Sequence, residues 1–531
     1  MNGPEVHVVV VGSGPVGATY ARALLEGSPR VRVTMFERGP VLTEPVGMNV
    51  RNIADPAAKQ EARRRAQGPQ SRDGAPVGLG IPITKVVEGT YTARGGTHLI
   101  DFGGEGSGHA AEFPAAAVST AVGGQGAQWT CATPRPGFSE LIPFIPGEEW
   151  DALILEAEGL LHTTHRAFDR SPIAAALQEA ISAEVDDELP EGYGVGPLPV
   201  AGDLDAEGRM RWAGTDVVFG SLLDPSSPEA ARFTLRSETA VTRVVVDEGH
   251  TTGVLITPAS GGEETFVAAD IVVVAADAIR TPQLLWASGI RPRALGRYLS
   301  DHPGIFSVVA IDPEKLGGRL SLEQIERERR LSESAPDPVT AVLRLPFSEP
   351  DNPYSCQVLY MHDSPLPIPD DHPLAHNPWG YANVGFGIRK FARYEDWIEF
   401  DDTDLDWAGM PNVTIHYEFT DREEAELEGA RRRQRQVAGA IGSFIPGGEP
   451  APLPYGASLH YKGTMRIGET DDGTSVCDPW SRVWSIDNLY LGGNGTIPTN
   501  TVVNPTLTSV AIALRGARGI LSSIAREEEA E

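Results

Sequence analysis

The residues best suited to chemistry begin with Gly12, Gly14 and Gly17 in the run Gly12-Ser13-Gly14-Pro15-Val16-Gly17. Gly12 permits a tight turn, Gly14 lets the backbone approach a pyrophosphate, and Gly17 lets the following helix pack closely on the preceding strand. Glu37, about 20 residues further on, is placed to bind a ribose hydroxyl. The motif points to a dinucleotide and leaves FAD and NAD both open. A second glycine-dense stretch, Ala121 to Pro136, holds Gly123 and Gly124, where the backbone can approach a planar ring or a phosphate, with Trp129 as a wall beside Thr130 and Ala132. Near the carboxyl end stand Ser458 to Gly468 with His460, Leu491 to Thr499 with Asn494, and Val503-Asn504-Pro505-Thr506-Leu507-Thr508. An imidazole can take a proton near neutral pH, although a lone histidine is as readily a hydrogen-bonded structural residue. Asn504 precedes a proline and the final helix, which Thr506 or Thr508 is placed to cap. The positive end of that helix favours negative charge, such as develops at the N1–C2 locus of a flavin accepting a hydride.

These groups need a frame. Val6 to Val11 is a β-branched apolar run that reads as a buried parallel strand, Ala18 to Leu25 as a helix and Val31 to Phe36 as a second strand, which makes a βαβ unit around the glycines. Ala268 to Ala275, a helix carrying Pro282 to Leu285, Asn488 to Gly492 and a helix from Leu507 to Ser522 supply further pieces of one sheet from both ends of the chain. Glu148 to Leu161 and Ile173 to Glu184 read as helices, Arg51 to Asp73 as a mobile lid or surface loop, and the terminal EEEAE as a frayed end. From 304 to 454, short β-like runs (Phe306 to Ile311, Val339 to Leu345, Tyr381 to Phe386, Val413 to Phe419) alternate with Pro-rich turns. The expected architecture is α/β: a Rossmann-type cofactor-binding domain over 1–303 and 455–531, with helical and lid segments within 51–200, and an inserted, mostly antiparallel substrate-binding domain over 304–454.

The 531 residues are 41% hydrophobic, enough for a large core, and carry 44 basic against 73 acidic side chains, a net charge of -29. So acidic a surface repels nucleic acid and anionic lipid. The three cysteines, Cys131, Cys356 and Cys477, form no CxxC motif and no closed disulfide set, so no metal site is expected and a reducing compartment fits. The amino terminus has no basic n-region and only a short apolar run, so a cytoplasmic location is expected.

Together with Ala278 to Leu285 and Gly296 to Pro303, these motifs resemble the glucose-methanol-choline oxidoreductases. Within them, Trp129 to Pro134, Gly492 to Thr499 and Asn504 to Thr508 are most similar to the pyranose oxidase and bacterial glycoside 3-oxidase branch. The resemblance covers nearly the whole chain. It implies FAD, a sugar or glycoside substrate, and oxidation of a secondary ring hydroxyl to a ketone, with oxygen, a quinone or another acceptor taking the electrons. It implies His460 as catalytic base with Asn504 as its partner, and Thr130 near flavin N5. Val241 would lie on the adenine side, with Gly123, Gly124, Ala132, Asn494 and Thr506 around the cofactor and Gln357 and Arg393 binding the sugar. The fungal pyranose oxidases attach FAD through a histidine at the position of Gln128, so non-covalent FAD is expected here, and the shorter chain favours a monomer or dimer over a tetramer. Oxidation at C3 of C- or O-glycosides is preferred, with a loop over Asp370 to Gly380 open to a bulky aglycone. The alternatives are oxidation of free glucose at C2 and, in a different class, a non-catalytic FAD-binding protein.

Overall fold

Val6–Val11 is buried at every residue and pairs in parallel with Val31–Phe36 on one side and Ile271–Val274 on the other. Unbroken apolar composition is what a strand covered on both faces requires. Leu489–Leu491 and Phe233–Arg236 complete a five-stranded parallel sheet, whose outer strands come from distant parts of the chain. The computed structural model describes residues 5–70, 93, 95–100, 111–205, 209–333, 337 and 339–530. Helix Pro15–Gly27 follows the first strand directly and packs against the final helix, Thr506–Ala530. By length and composition Thr506–Arg526 could cross a membrane, yet 72% of its 18-residue apolar window is buried inside the protein.

The second sheet is antiparallel. Gly304–Ile311, Tyr381–Gly387, Ser355–Met361 and Ala341–Leu345 lie side by side, extended by Gly442–Phe444 and Ala451–Pro452 at one end and Gly196–Pro197 at the other. Two pieces cross the division expected from the sequence. The edge strand Gly196–Pro197 comes from outside residues 304–454. The hairpin Trp397–Leu405/Pro411–His416 leaves the sheet and packs Ile398, Phe400, Val413 and Ile415 with Ala278, Ile279 and Leu299.

Three local expectations need correction. Within the segment read as a lid, Pro56–Arg65 is a helix, capped by the Asp55 carboxylate on the N–H groups of Ala57 and Ala58; residues 71–73 lie outside the described residues. The acidic end is helical, the final helix running into it as far as Ala530, and Glu531 lies outside the described residues. Thr508 does not cap that helix: it sits within the first turn, its Oγ1 buried and without a partner among the described residues.

Gly17 shows how tightly the first helix docks. A Cβ there would stand 2.1 Å from the Gly12 carbonyl oxygen, whereas a Cβ on Gly159, in helix Gly147–Leu160, would meet nothing within 4 Å. Gly17→Ala is expected to destabilise the fold by about 1–3 kcal/mol through overpacking. Gly159→Ala is expected to be neutral or to stabilise by up to about 1 kcal/mol. Chemical denaturation of the two variants beside the parent checks both signs.

Candidate active site

The carboxyl ends of the parallel strands open onto a cavity of about 440 Å³, closed on its other side by the antiparallel sheet. Ligands of open α/β sheets bind at this edge. Gly12, Gly14 and Glu37 line it, and so does Val241, from the strand Thr239–Asp247. A Cβ at Gly14 would project into open space, so glycine leaves a cradle at the positive end of helix Pro15–Gly27 where a pyrophosphate can lie. Glu37 is held at the strand end by Ser13, whose N–H and Oγ–H both donate to Oε2, and by the Gly39 N–H on Oε1. Burial raises its pKa, opposed by these hydrogen bonds. Gly124, Thr130, Ala132, Asn494 and Thr506 line it as well.

Two expected residues act from behind the wall. Gly17 packs on Gly12. Gly123 is outside the lining; its N–H donates to Ser13 Oγ and its carbonyl accepts from Thr215 Oγ1, which ties the glycine loop to the first turn. Gln128 is also outside the lining, with both amide atoms buried and unpartnered among the described residues. Arg393 is not brought to the site, because Asp396 holds its guanidinium at 2.9 and 3.0 Å. The loop 370–380 contributes nothing to the lining either: Leu374 packs into an apolar cluster and Asn377 donates to the Ile311 and Gly380 carbonyls.

His460, Asn504 and Gln357 meet at the end of the cavity next to the antiparallel sheet. Gln357 Nε2 donates to Asn504 Oδ1 at 2.7 Å. That bond turns the Asn504 amide so that its N–H donors are directed elsewhere, and what Gln357 offers a sugar is its carbonyl. His302, Ser355 and Asn383 join them.

His302 is the residue that sequence reasoning did not single out. Ser300 and Lys462 exchange two backbone hydrogen bonds as an antiparallel bridge, which sets His302 opposite His460. His302 Nε2 contacts His460 Nδ1 in a short hydrogen bond, the rings nearly parallel at 16° with centroids 4.4 Å apart. Burial first, then His460 and Lys462, hold the His302 pKa well below its ordinary value, so its ring is neutral. A neutral His302 that accepts the Nδ1–H of His460 leaves the His460 Nε2 lone pair as the base. Beneath the pair, Asp301 Oδ1 accepts from Ser458 Oγ and from the His302 N–H, while Oδ2 is buried without a partner among the described residues. The signal for His302 lay in the Gly296 to Pro303 segment, but its role depends on a contact across 158 residues.

Two further buried groups hold the backbone before Asn504. Lys462 Nζ donates to the Thr501 carbonyl at 2.8 Å, and its pKa is lowered to about 8 by burial, opposed by Asp301 and Glu140. Glu140 Oε1 accepts the N–H groups of Val502 and Val503, and Oε2 that of Gly137. Burial raises the Glu140 pKa to about 7 despite those three donors.

Family models described as GMC oxidoreductase match residues 218–304 and 398–513. Over 98% of its length the chain is 42% identical to a C-glycoside 3-oxidase of Microbacterium trichothecenolyticum, 97% of which is covered. It is 31% identical over 97% of its length to a pyranose 2-oxidase of Tricholoma matsutake, with 93% of that protein covered. Among solved structures, pyridoxine 4-oxidase from Mesorbium loti has the same fold, with a TM-score of 0.65 at 17% identity over 97% of this chain and 99% of the other.

Glu140 generates a prediction with a definite sign. Its folded pKa of about 7 lies above the ordinary 4.5, so the folded chain keeps a proton that the unfolded chain gives up between those values. The corresponding stability is full below the lower value and is lost as pH rises to 7, a difference of about 3 kcal/mol. Denaturation midpoints of the parent should therefore fall between pH 5 and 7 relative to Glu140→Gln, which does not titrate. Gln also turns one acceptor into a donor facing the loop, so kcat should fall roughly tenfold or more through misplacement of Asn504. Parallel slopes for the two proteins would contradict this.

Proposed function

This chain belongs to the GMC oxidoreductases, a family of FAD flavoproteins, and from that premise we propose that it oxidises the C3 hydroxyl of C- or O-glycosides to a ketone. The observation that carries the reading is the meeting of His460, Asn504 and Gln357 at one end of a cavity whose other end suits a dinucleotide. The substrate class and position come from the relatives, since the C-glycoside 3-oxidase shares more of the sequence than the pyranose 2-oxidase. Oxidation of free glucose at C2 is the second reading, favoured by that more distant likeness.

Bound FAD supplies the acceptor for the hydride that leaves the carbinol carbon. The protein's own residues handle the proton and the oxygen. An alcohol is far too weak an acid to ionise in water, so His460 Nε2 takes the hydroxyl proton while the carbon–oxygen bond becomes double. Asn504, turned by Gln357, donates its amide N–H to the oxygen as negative charge develops there. Neutral His302 keeps His460 in the tautomer that can accept. Gly12, Gly14 and Glu37, which line the cavity, would hold the adenosine diphosphate part of the cofactor, and Gly124, Thr130 and Ala132 would flank its ring. FAD is held without a covalent bond: an amide at Gln128 is not nucleophilic, and its side chain lies outside the cavity lining. Oxygen is the electron acceptor we assign, because these relatives are named as oxidases.

His460→Ala should retain FAD yet lose anaerobic bleaching of the flavin by substrate by about 10²- to 10⁴-fold. Stopped-flow absorbance measures it, and a variant within tenfold of the parent would remove His460 from the reaction. Incubation with an aromatic C-glycoside and with glucose in parallel, the ketone located by NMR, should give a 3-keto glycoside faster than any keto glucose. Acid precipitation should leave yellow flavin in the supernatant; colour in the pellet would mean a covalent link at another residue.

A further inference from the structure

Trp407 lies at the tip of the hairpin Trp397–Leu405/Pro411–His416, and it is 39% exposed while lining the cavity. Its contact with Arg38 puts it beside Glu37, which lines the cavity too. A large aromatic ring left half in water at a cavity mouth is one that a ligand can cover. The Arg38 guanidinium lies 4.6 Å from the centre of the Trp407 ring, and Arg38 also lines the cavity. Its Nε is buried and finds no acceptor among the described residues. The His98 ring stands nearly perpendicular to Trp407, at 85° with 5.6 Å between the ring centres. Burial lowers the His98 pKa to about 3, so this neighbour is neutral.

The tip is fixed in advance. Asp406 Oδ2 accepts from Arg280 Nη1 at 2.6 Å and from Gln283 Nε2 at 3.1 Å, both on the helix Arg280–Ala287 of the parallel-sheet unit. Asp406 Oδ1 accepts the N–H groups of Ala408 and Met410, and Gln283 Nε2 donates to the Pro411 carbonyl. The turn therefore has its shape and its anchorage without a ligand.

We infer that Trp407 and Arg38 form a clamp for the adenosine of FAD, a face and an unsatisfied donor brought over the nucleotide end of the cavity by a hairpin outside the Rossmann-type sheet. The chemistry fits a purine nucleoside: every purine has a π-face for the indole, and ribose hydroxyls and ring nitrogens accept from a guanidinium. The inference rests on FAD in this cavity and is independent of which sugar carbon is oxidised.

The test compares purified holoenzymes of the parent, Trp407→Ala, Trp407→Phe and Arg38→Gln after dilution into flavin-free buffer, following the rise of free-FAD fluorescence. Trp407→Ala and Arg38→Gln should release FAD about tenfold faster or more, the effect of losing one base contact, and Trp407→Phe within about threefold of the parent. Release within twofold of the parent for both Trp407→Ala and Arg38→Gln overturns the clamp. Should the parent's flavin stay with acid-precipitated protein, the same comparison is made with a phosphodiesterase, which adds water across the FAD pyrophosphate to give FMN and AMP. Faster AMP release from the two variants then supports the clamp, and equal rates overturn it. Failure of the glycoside reading would show in the NMR product and leave these rates unchanged, so the two ideas fail separately.

Discussion

The peptide run 501–503 is gripped between two buried titratable groups, a lysine and a glutamic acid, and the geometry of the reacting end follows from that grip. Lys462 donates to the Thr501 carbonyl from one side, and Glu140 accepts the Val502 and Val503 N–H groups from the other. Both side chains are fully buried, so each loses its hydration and is compensated by backbone dipoles and by the other ionisable groups around it. Lys462 stands two residues after His460, and Val503 one before Asn504. The clamp therefore ties the base and the amide donor to one another through a short, dry, hydrogen-bonded path. Backbone bonds from Met465 to the Gly495 carbonyl and from Ile467 to the Thr496 carbonyl hold the same two segments further along.

The two sheets divide the remaining work. The parallel sheet ends in glycines and Glu37, where backbone N–H groups and a helix dipole meet a pyrophosphate. The antiparallel sheet uses its period of two. On Ser355–Met361, Ser355 and Gln357 face the cavity while Cys356 and Val358 are buried in the core; on Tyr381–Gly387, Asn383, Gly385 and Gly387 face it while Ala382 and Val384 are buried. Small and polar residues on that face leave room for a ring and supply its hydrogen bonds.

How much of this was legible depended on whether the deciding interaction was local. The first βαβ unit could be read because its β-branched run, glycines and acid lie within one stretch of chain, and the final helix because its apolar residues are continuous. Helix Asp421–Ile441 escaped notice among Pro-rich turns, although Thr420 and Glu423 form a capping box; its polar Gln434 is buried because it donates to the Ile305 and Val384 carbonyls of the sheet. The strand Trp397–Leu405 carries too many acids to look like one, and is held by its partner Pro411–His416. Arg393 was a reasonable sugar ligand by type and position. Asp396, itself bound to buried Lys390, claims it instead. The loop 370–380 looked open because prolines and aspartates favour turns, yet Leu374 and Asn377 fasten it away from the cavity.

His302 shows why burial, and not only proximity, sets up the base. A protonated His302 would donate to His460 Nδ1 and force the proton of a neutral His460 onto Nε2, the atom that must be vacant. Desolvation opposes that protonation, and the buried Lys462 charge opposes it further. Asp301 is linked to both histidines, accepting the His302 N–H and the Oγ–H of Ser458, whose Oγ in turn accepts the His460 N–H. The Asp301 pKa is itself raised by burial, with Lys462 the largest influence in the other direction. Lys462 thus has two duties that pull apart: it disfavours a cation on the histidine pair, and it favours the anion that would stabilise one. Both effects act throughout, the first keeping His302 neutral and the second favouring ionised Asp301 against its burial.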